Sequence, residues 1–129
     1  MKIIIASNSA WNLYNFRKDL ILNLKKNNDV YLICKKDRYS KKLESLNCKI
    51  YYINYNPTSF NPILLLSLFF QLINLLFKIK PDILISFTFQ INLMSIISKI
   101  FFKFRLIVNL TGIGGVLFIN RTLSFILTN

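Results

Sequence analysis

The chain has 129 residues and no histidine, and its acids are limited to Asp19, Asp29, Asp37, Glu44 and Asp82. These shortages exclude several chemistries. A serine triad has no imidazole base to take the proton from its nucleophile. The paired carboxylates of a glycoside hydrolase are missing, because no two of the five acids are placed to converge on the crevice derived below. A zinc site would have to be assembled from Cys34, Cys48 and scattered acids without the ligand spacing such sites need, so no metal is expected. The two cysteines fall at the end of one predicted strand and the start of another, and read as free thiols of a reducing cytoplasm rather than a disulfide. Between Lys2 and Ser7 there are only four apolar residues, too short a run for a signal-peptide core. The sequons at Asn109 and Asn120 are therefore not expected to carry glycans. Glycine is confined to Gly112, Gly114 and Gly115, and there are only three prolines, so few positions interrupt regular structure.

What is present is apolar and basic. A chain that is 53% hydrophobic and 17% charged is long enough to bury a core, and one domain is expected. The net charge of +12 is uneven: residues 17–49 hold ten Lys/Arg against four acids. An ordinary solvated face accounts for such a run, and attraction to anionic lipid headgroups is the sharper alternative. Nucleic acid is not expected as a partner, since the aromatic residues sit in apolar runs instead of alternating with the basic ones.

The element pattern alternates. Strands are expected at Lys2 to Ser7, Asp29 to Cys34, Lys49 to Asn54, Lys80 to Thr88 and Arg105 to Asn109. Between them fall a helix capped by Asn15 with Phe16, Leu20 and Leu24 on one stripe, a short helix near Tyr39 to Leu46, and apolar helices at Ile63 to Ile79 and Ile91 to Lys103. Pro81 ends the third helix, because proline cannot continue it and disfavours helical backbone at Lys80. Asn61 followed by Pro62 opens that helix as an N-cap with proline at the first helical position. The polar residues Ser67, Gln71, Asn74 and Lys78 recur at gaps of four, three and four, so they share one face. That stripe favours a helix packed on the sheet over a membrane span, with an in-plane interfacial helix as the alternative. Strand–helix alternation of this kind predicts an α/β fold, a Rossmann-like parallel sheet of five strands in the order 3-2-1-4-5 with helices on both faces. Strands one and four are then neighbours, and Ser7 to Trp11 face Ser86 to Gln90 across the crevice at their carboxyl ends.

Two constellations lie at that crevice. Asn8, Ser9, Asn15 and Arg17 cluster where strand one passes into its helix, and a helix start reinforced by Arg17 suits a phosphate or sugar hydroxyls. Ordinary capping with a solvated Arg17 accounts for the same residues. Gly112-Ile113-Gly114-Gly115 follows strand five, but a dinucleotide fingerprint belongs to the first strand–helix turn, where this chain has no glycine, and there is no phosphate-loop lysine. The glycines serve either a tight turn or the close approach of backbone to a ligand.

Four landmarks in order carry a resemblance: Ile3 to Arg17 with its Tyr14-Asn15-Phe16-Arg17, Asn61-Pro62, Lys80-Pro81-Asp82-Ile83, and Asn109 to Gly114. Together they resemble the opening of bacterial family-four glycosyltransferases of the capsule and O-antigen type. The resemblance implies a GT-B architecture of two Rossmann-like domains across a cleft, with this chain as the acceptor-side half. It implies acceptor-binding roles for Ser9, Asn15, Arg17, Thr88, Gly112 and Gly114, and leaves the catalytic residues unassigned. It further implies a lipid-linked or glycan acceptor at the inner face of the cell membrane. The mechanism would be retaining, with the leaving phosphate taking the acceptor's proton, which the Phe87 found where many relatives carry a histidine would not impair. No cofactor is expected on this chain. The nucleotide-sugar donor would sit on a donor domain that the chain lacks, supplied as a separate polypeptide if the enzyme is split, and the chain alone would then be inactive. A non-catalytic membrane-peripheral domain and a small integral membrane protein are the alternative readings.

Overall fold

A computed structural model describes residues 1–56 and 58–110. Its elements are β1 (Lys2–Ala6), α1 (Ala10–Lys25), β2 (Asp29–Cys34), α2 (Ser40–Glu44), β3 (Lys49–Tyr52), α3 (Pro62–Ile79), β4 (Ile83–Phe87), α4 (Phe89–Ser98) and β5 (Arg105–Asn109). The sheet runs β3-β2-β1-β4-β5, and every neighbouring pair is parallel. This is the expected order, with β1 beside β4 and Ala6 opposite Ser86.

Strand periodicity explains why both faces are covered. Ile3 and Ile5 of β1, Leu32 and Cys34 of β2, and Ile85 and Phe87 of β4 point to one face, where Ala10, Leu13 and Ile21 of α1 and Leu43 of α2 meet them. The alternate residues Ile4, Ala6, Ile33, Leu84 and Leu106 point to the other face, under Leu68, Leu72, Leu76 and Ile79 of α3 and Ile91 and Met94 of α4. Side chains buried on both faces are why these strands read as continuous apolar runs.

The entry and exit of α3 follow local rules. Asn61 accepts from the Ile63 N–H at 2.9 Å and Pro62 takes the first helical position. At the far end Lys80 adopts a left-handed backbone (φ 53°) and its N–H closes on Leu76 O at 2.9 Å, so the chain leaves the helix at Pro81 and enters β4 at Ile83. Among the described residues α3 is the one helix long and apolar enough to cross a membrane. Its inner stripe nevertheless belongs to the sheet: Leu68, Leu72 and Leu76 are fully buried, and each contributes ~1.5–3 kcal/mol by leaving water. Gln71, from the polar stripe, clasps the Asn54 backbone, accepting from its N–H through Oε1 and donating to its carbonyl through Nε2, each at 2.8 Å.

Three expectations need correction. α1 starts at Ala10 with Ser9 as its N-cap, and Asn15 lies a turn inside the helix. α4 spans Phe89–Ser98, two residues earlier at its start and five residues shorter at its end than its apolar run, because the chain turns at Lys99 to Phe101 to reach β5. Basic side chains do approach aromatic rings: on the α1–α2 side Lys18 and Lys42 approach Tyr14 and Lys42 and Arg38 approach Tyr39, and on the opposite face of the sheet Lys49 approaches Tyr31.

Candidate functional site

β1 and β4 diverge at their carboxyl ends because β1 is followed by a helix on one face of the sheet and β4 by a helix on the other. The gap between the two helix starts is the crevice. On the β1 side, Ser7 is fully buried, with its N–H on Ile33 O (2.9 Å) and its hydroxyl on Asn12 Oδ1 (2.9 Å). The first three N–H groups of α1 are all engaged. Ala10 N–H donates to Lys35 O (3.1 Å), Trp11 N–H to the Asp37 carboxylate (2.9 Å) and Asn12 N–H to Ser9 Oγ (3.1 Å). The donors that would hold a phosphate at this helix start are thus occupied within the chain, and capping accounts for Ser9.

Asn15 and Arg17 part company. Two residues on a helix are about 200° apart, so they cannot face one ligand. Asn15 is exposed and donates back to Trp11 O at 2.9 Å. Arg17 points inward, its guanidinium carbon 4.1 Å from the centroid of the Phe87 ring at the end of β4. Phe87 is itself 1% exposed, so the ring is a dry platform on which the guanidinium lies, an arrangement that favours the cation.

Thr88 follows Phe87 directly and has φ 73° and ψ 150°, a region that glycine occupies and a β-branched residue avoids. Its hydroxyl does not cap α4. The first hydrogen bond of α4 runs from Asn92 N–H to Thr88 O (2.9 Å), which leaves the preceding N–H groups at the carboxyl edge of the sheet. Two buried side-chain polar atoms have no hydrogen-bond partner among the described residues, Arg17 Nε and Thr88 Oγ1, and both flank Phe87. Leaving such atoms unpaired costs ~1–3 kcal/mol each, which a ligand at this spot would recover.

The surroundings are polar and internally paired. Buried Ser86 donates to Asn92 Oδ1 (2.7 Å), and Asn92 Nδ2 donates to Asn109 O (3.1 Å), tying α4 to the end of β5. Gln90 donates to Ser59 O (2.6 Å), holding the loop before α3 against the crevice. Tyr55 is buried beside Thr88. Burial pushes its phenol up to about 12, and the Thr88 hydroxyl opposes that rise without reaching hydrogen-bond geometry. Tyr55 is therefore a neutral donor at physiological pH.

Of the predicted residues, the structure sets Arg17 on the ring of Phe87, the residue before Thr88, places Ser9 in a capping role and turns Asn15 away. Gly112 and Gly114 lie outside the described residues. The sequence reading missed Phe87 as a platform, Tyr55, and Asn92. Only Asn92 carried a local signal, an amide one turn into a strongly apolar helix.

Comparison with known proteins bears on this crevice. Residues 2–121 match the family described as glycosyl transferase 4-like. The chain belongs to that family. It is 30% identical over 120 residues to N,N'-diacetylbacillosaminyl-diphospho-undecaprenol alpha-1,3-N-acetylgalactosaminyltransferase of Campylobacter jejuni, an alignment covering 89% of this chain and 31% of that protein. Among solved structures it is similar to a glycosyltransferase from Rickettsia africae (TM-score 0.68, 15% identity, 83% of this chain and 29% of that one). It is also similar to MurG of Acinetobacter baumannii (0.64, 13%, 95% and 38%) and to UDP-GlcNAc 2-epimerase of Neisseria meningitidis (0.61, 18%, 88% and 33%). These neighbours are GT-B glycosyltransferases and epimerases, and the chain spans about a third of the length of each.

Proposed function

We propose that this chain is the acceptor-side domain of a sugar-nucleotide-dependent glycosyltransferase that extends a lipid-linked diphosphate acceptor at the inner face of the cell membrane. The observation that carries the reading is the pair of unpartnered buried atoms, Arg17 Nε and Thr88 Oγ1, at the carboxyl edge of a glycosyl transferase 4-like domain. The name of the Campylobacter relative supplies the acceptor class, a sugar on diphospho-undecaprenol. A guanidinium resting on an aromatic ring has shed part of its water and presents its free edge to a phosphate, which it binds in a planar, two-point fashion. Thr88 and the amino end of α4 offer donors to a sugar hydroxyl on the other side of the ring.

Chemistry needs a second wall. Most of the rate gain in such a transfer comes from holding donor and acceptor within reach, and charge stabilisation of the departing nucleotide belongs to the donor side. In a retaining transfer the leaving phosphate takes the acceptor's proton, so this domain need supply no base. We therefore expect turnover from this domain only when a donor-side domain is present, in the same polypeptide or a separate one.

The test is acceptor binding and transfer with an undecaprenyl-diphosphate sugar and a panel of sugar nucleotides, with and without a donor-side domain. The expected results are acceptor binding by the chain alone, weakened about tenfold or more by Arg17→Ala, and transfer only in the combined sample. Turnover by the isolated chain overturns the need for a partner. Unchanged acceptor binding in Arg17→Ala overturns the site.

A further inference from the structure

The outer face of α3 is apolar as well as the inner one. Ile63, Leu66, Phe70 and Phe77 follow at gaps of three, four and seven residues, which places them on one stripe facing away from the sheet, and they are 76, 54, 58 and 66% exposed. The turn after α4 extends this stripe with Ile100 (79%) and Phe101 (67%). The rings pair along this face: Phe69 lies 6.0 Å from Phe70 and 6.3 Å from Phe101, and Phe77 meets Phe102 edge-on at 5.1 Å. Where the face reaches the amino edge of the sheet it borders an open cleft of about 430 Å³ lined by Phe77, Phe101, Phe102, Lys80 and Lys103. Lys78 and Lys99, both exposed, complete the basic rim. The one acid in this corner, Asp82, accepts from the Lys2 backbone N–H at 2.8 Å.

We infer that this face, the outer stripe of α3 with the Lys99–Lys103 turn, is a membrane-docking surface that seats in the interface of an anionic bilayer. Apolar area this large and contiguous, rimmed by charge of one sign, is what an in-plane interfacial element presents, with rings at the acyl boundary and lysines reaching the headgroup phosphates. Two other occupants fit worse. A domain facing this one across the crevice sits at the carboxyl edge of the sheet, whereas the aromatic and basic corner lies at the amino edge. A second copy pairing on the same face would bring two sets of lysines together. Spanning is excluded by the inner stripe, since α3 could not leave the sheet without uncovering Ile4 and Leu84. The docking surface is also separate from the Lys/Arg-rich α1–α2 side, which covers the opposite face of the sheet.

Vesicle flotation of the full chain tests this independently of any sugar transfer. The wild type is expected to float with phosphatidylglycerol-containing vesicles, less with neutral phosphatidylcholine, and to be released by alkaline carbonate. Phe70→Ser/Phe77→Ser/Phe101→Ser should reduce binding about tenfold or more, and Lys78→Glu/Lys99→Glu/Lys103→Glu should abolish the preference for anionic lipid. Lys36→Glu/Lys41→Glu/Lys42→Glu, on the α2 side, should change binding less than about twofold. All substituted side chains are exposed, and circular dichroism checks that each variant folds. The inference is overturned if the phenylalanine variant floats like wild type, if the α2-side variant is the one that loses binding, or if carbonate fails to release the chain. It is equally overturned if the face mediates a concentration-dependent dimer and no vesicle binding.

Discussion

Thr88 is the residue on which the crevice turns. Its backbone sits where only glycine is comfortable, yet it is threonine, and the hydroxyl it contributes is buried without a partner among the described residues. Strain at the end of a central strand is where a functional role is sought, and it supports the acceptor contact proposed for Thr88. Thr88→Gly should therefore stabilise the chain by ~1–2 kcal/mol in urea unfolding while weakening acceptor binding. If stability falls instead, the threonine side chain is holding the turn rather than straining it. Arg17 illustrates the same trade in a different form, since its cation is satisfied by the Phe87 ring while its Nε remains unpaired.

At the scale of elements, the start of α1 shows how a helix terminus can be closed from a distance. Lys35 and Asp37, in the loop after β2, accept from Ala10 and Trp11, and Asp37 also holds the Tyr39 N–H at 2.7 Å. The carboxylate thus joins two helix starts, and it sits where it complements the positive end of α1. Ser9→Ala should cost ~1 kcal/mol of stability through the lost cap, whereas Asn15→Ala at an exposed interior position should cost at most a few tenths. Equal losses in thermal melts of the two variants would return the cap to Asn15. α3 shows the opposite arrangement, a helix apolar on two faces with a polar stripe between, so that one face belongs to the core and the other remains to be covered.

Across the whole molecule, burial holds several weak acids in their neutral forms. Burial and the nearby Asp37 push Cys34 from 9.0 up to about 12. Tyr55 and Tyr52 rise from 10.0 to about 12, Tyr55 through burial and Tyr52 through burial and then its bond to Glu44. Each group binds its proton more tightly folded than unfolded, so its contribution is complete below the unfolded value and is lost as pH climbs towards the folded one. The urea midpoint should stay flat through neutral pH and fall from pH ~9 upward, and Cys34→Ser should make that fall shallower, leaving the part contributed by Cys48, which burial also raises. A midpoint that rises with pH above 9 would contradict this account. Neutral pH leaves the thiol protonated, which makes Cys34 a core residue and not a nucleophile.

The sequence by itself determined the architecture. Five apolar runs separated by helical periodicities admit few parallel arrangements, and Asn61-Pro62 and Lys80-Pro81 set the limits of α3 through purely local backbone preferences. The landmarks of the family were legible for the same reason, being short and contiguous. What only the tertiary structure decided depends on residues far apart in the chain. The cap of α1 is settled by Asp37, 26 residues beyond Trp11, so a strictly local reading placed it at Asn15. Arg17 meets Phe87 only because α1 lies over β4, and Lys42 meets Tyr14 only because α2 packs beside α1. The outer stripe of α3 is the clearest case. Periodicity separates the polar line of that helix from its apolar remainder, but which part of the remainder meets the sheet, and which is left facing outward beside the lysines, is fixed only by packing against the sheet and α4.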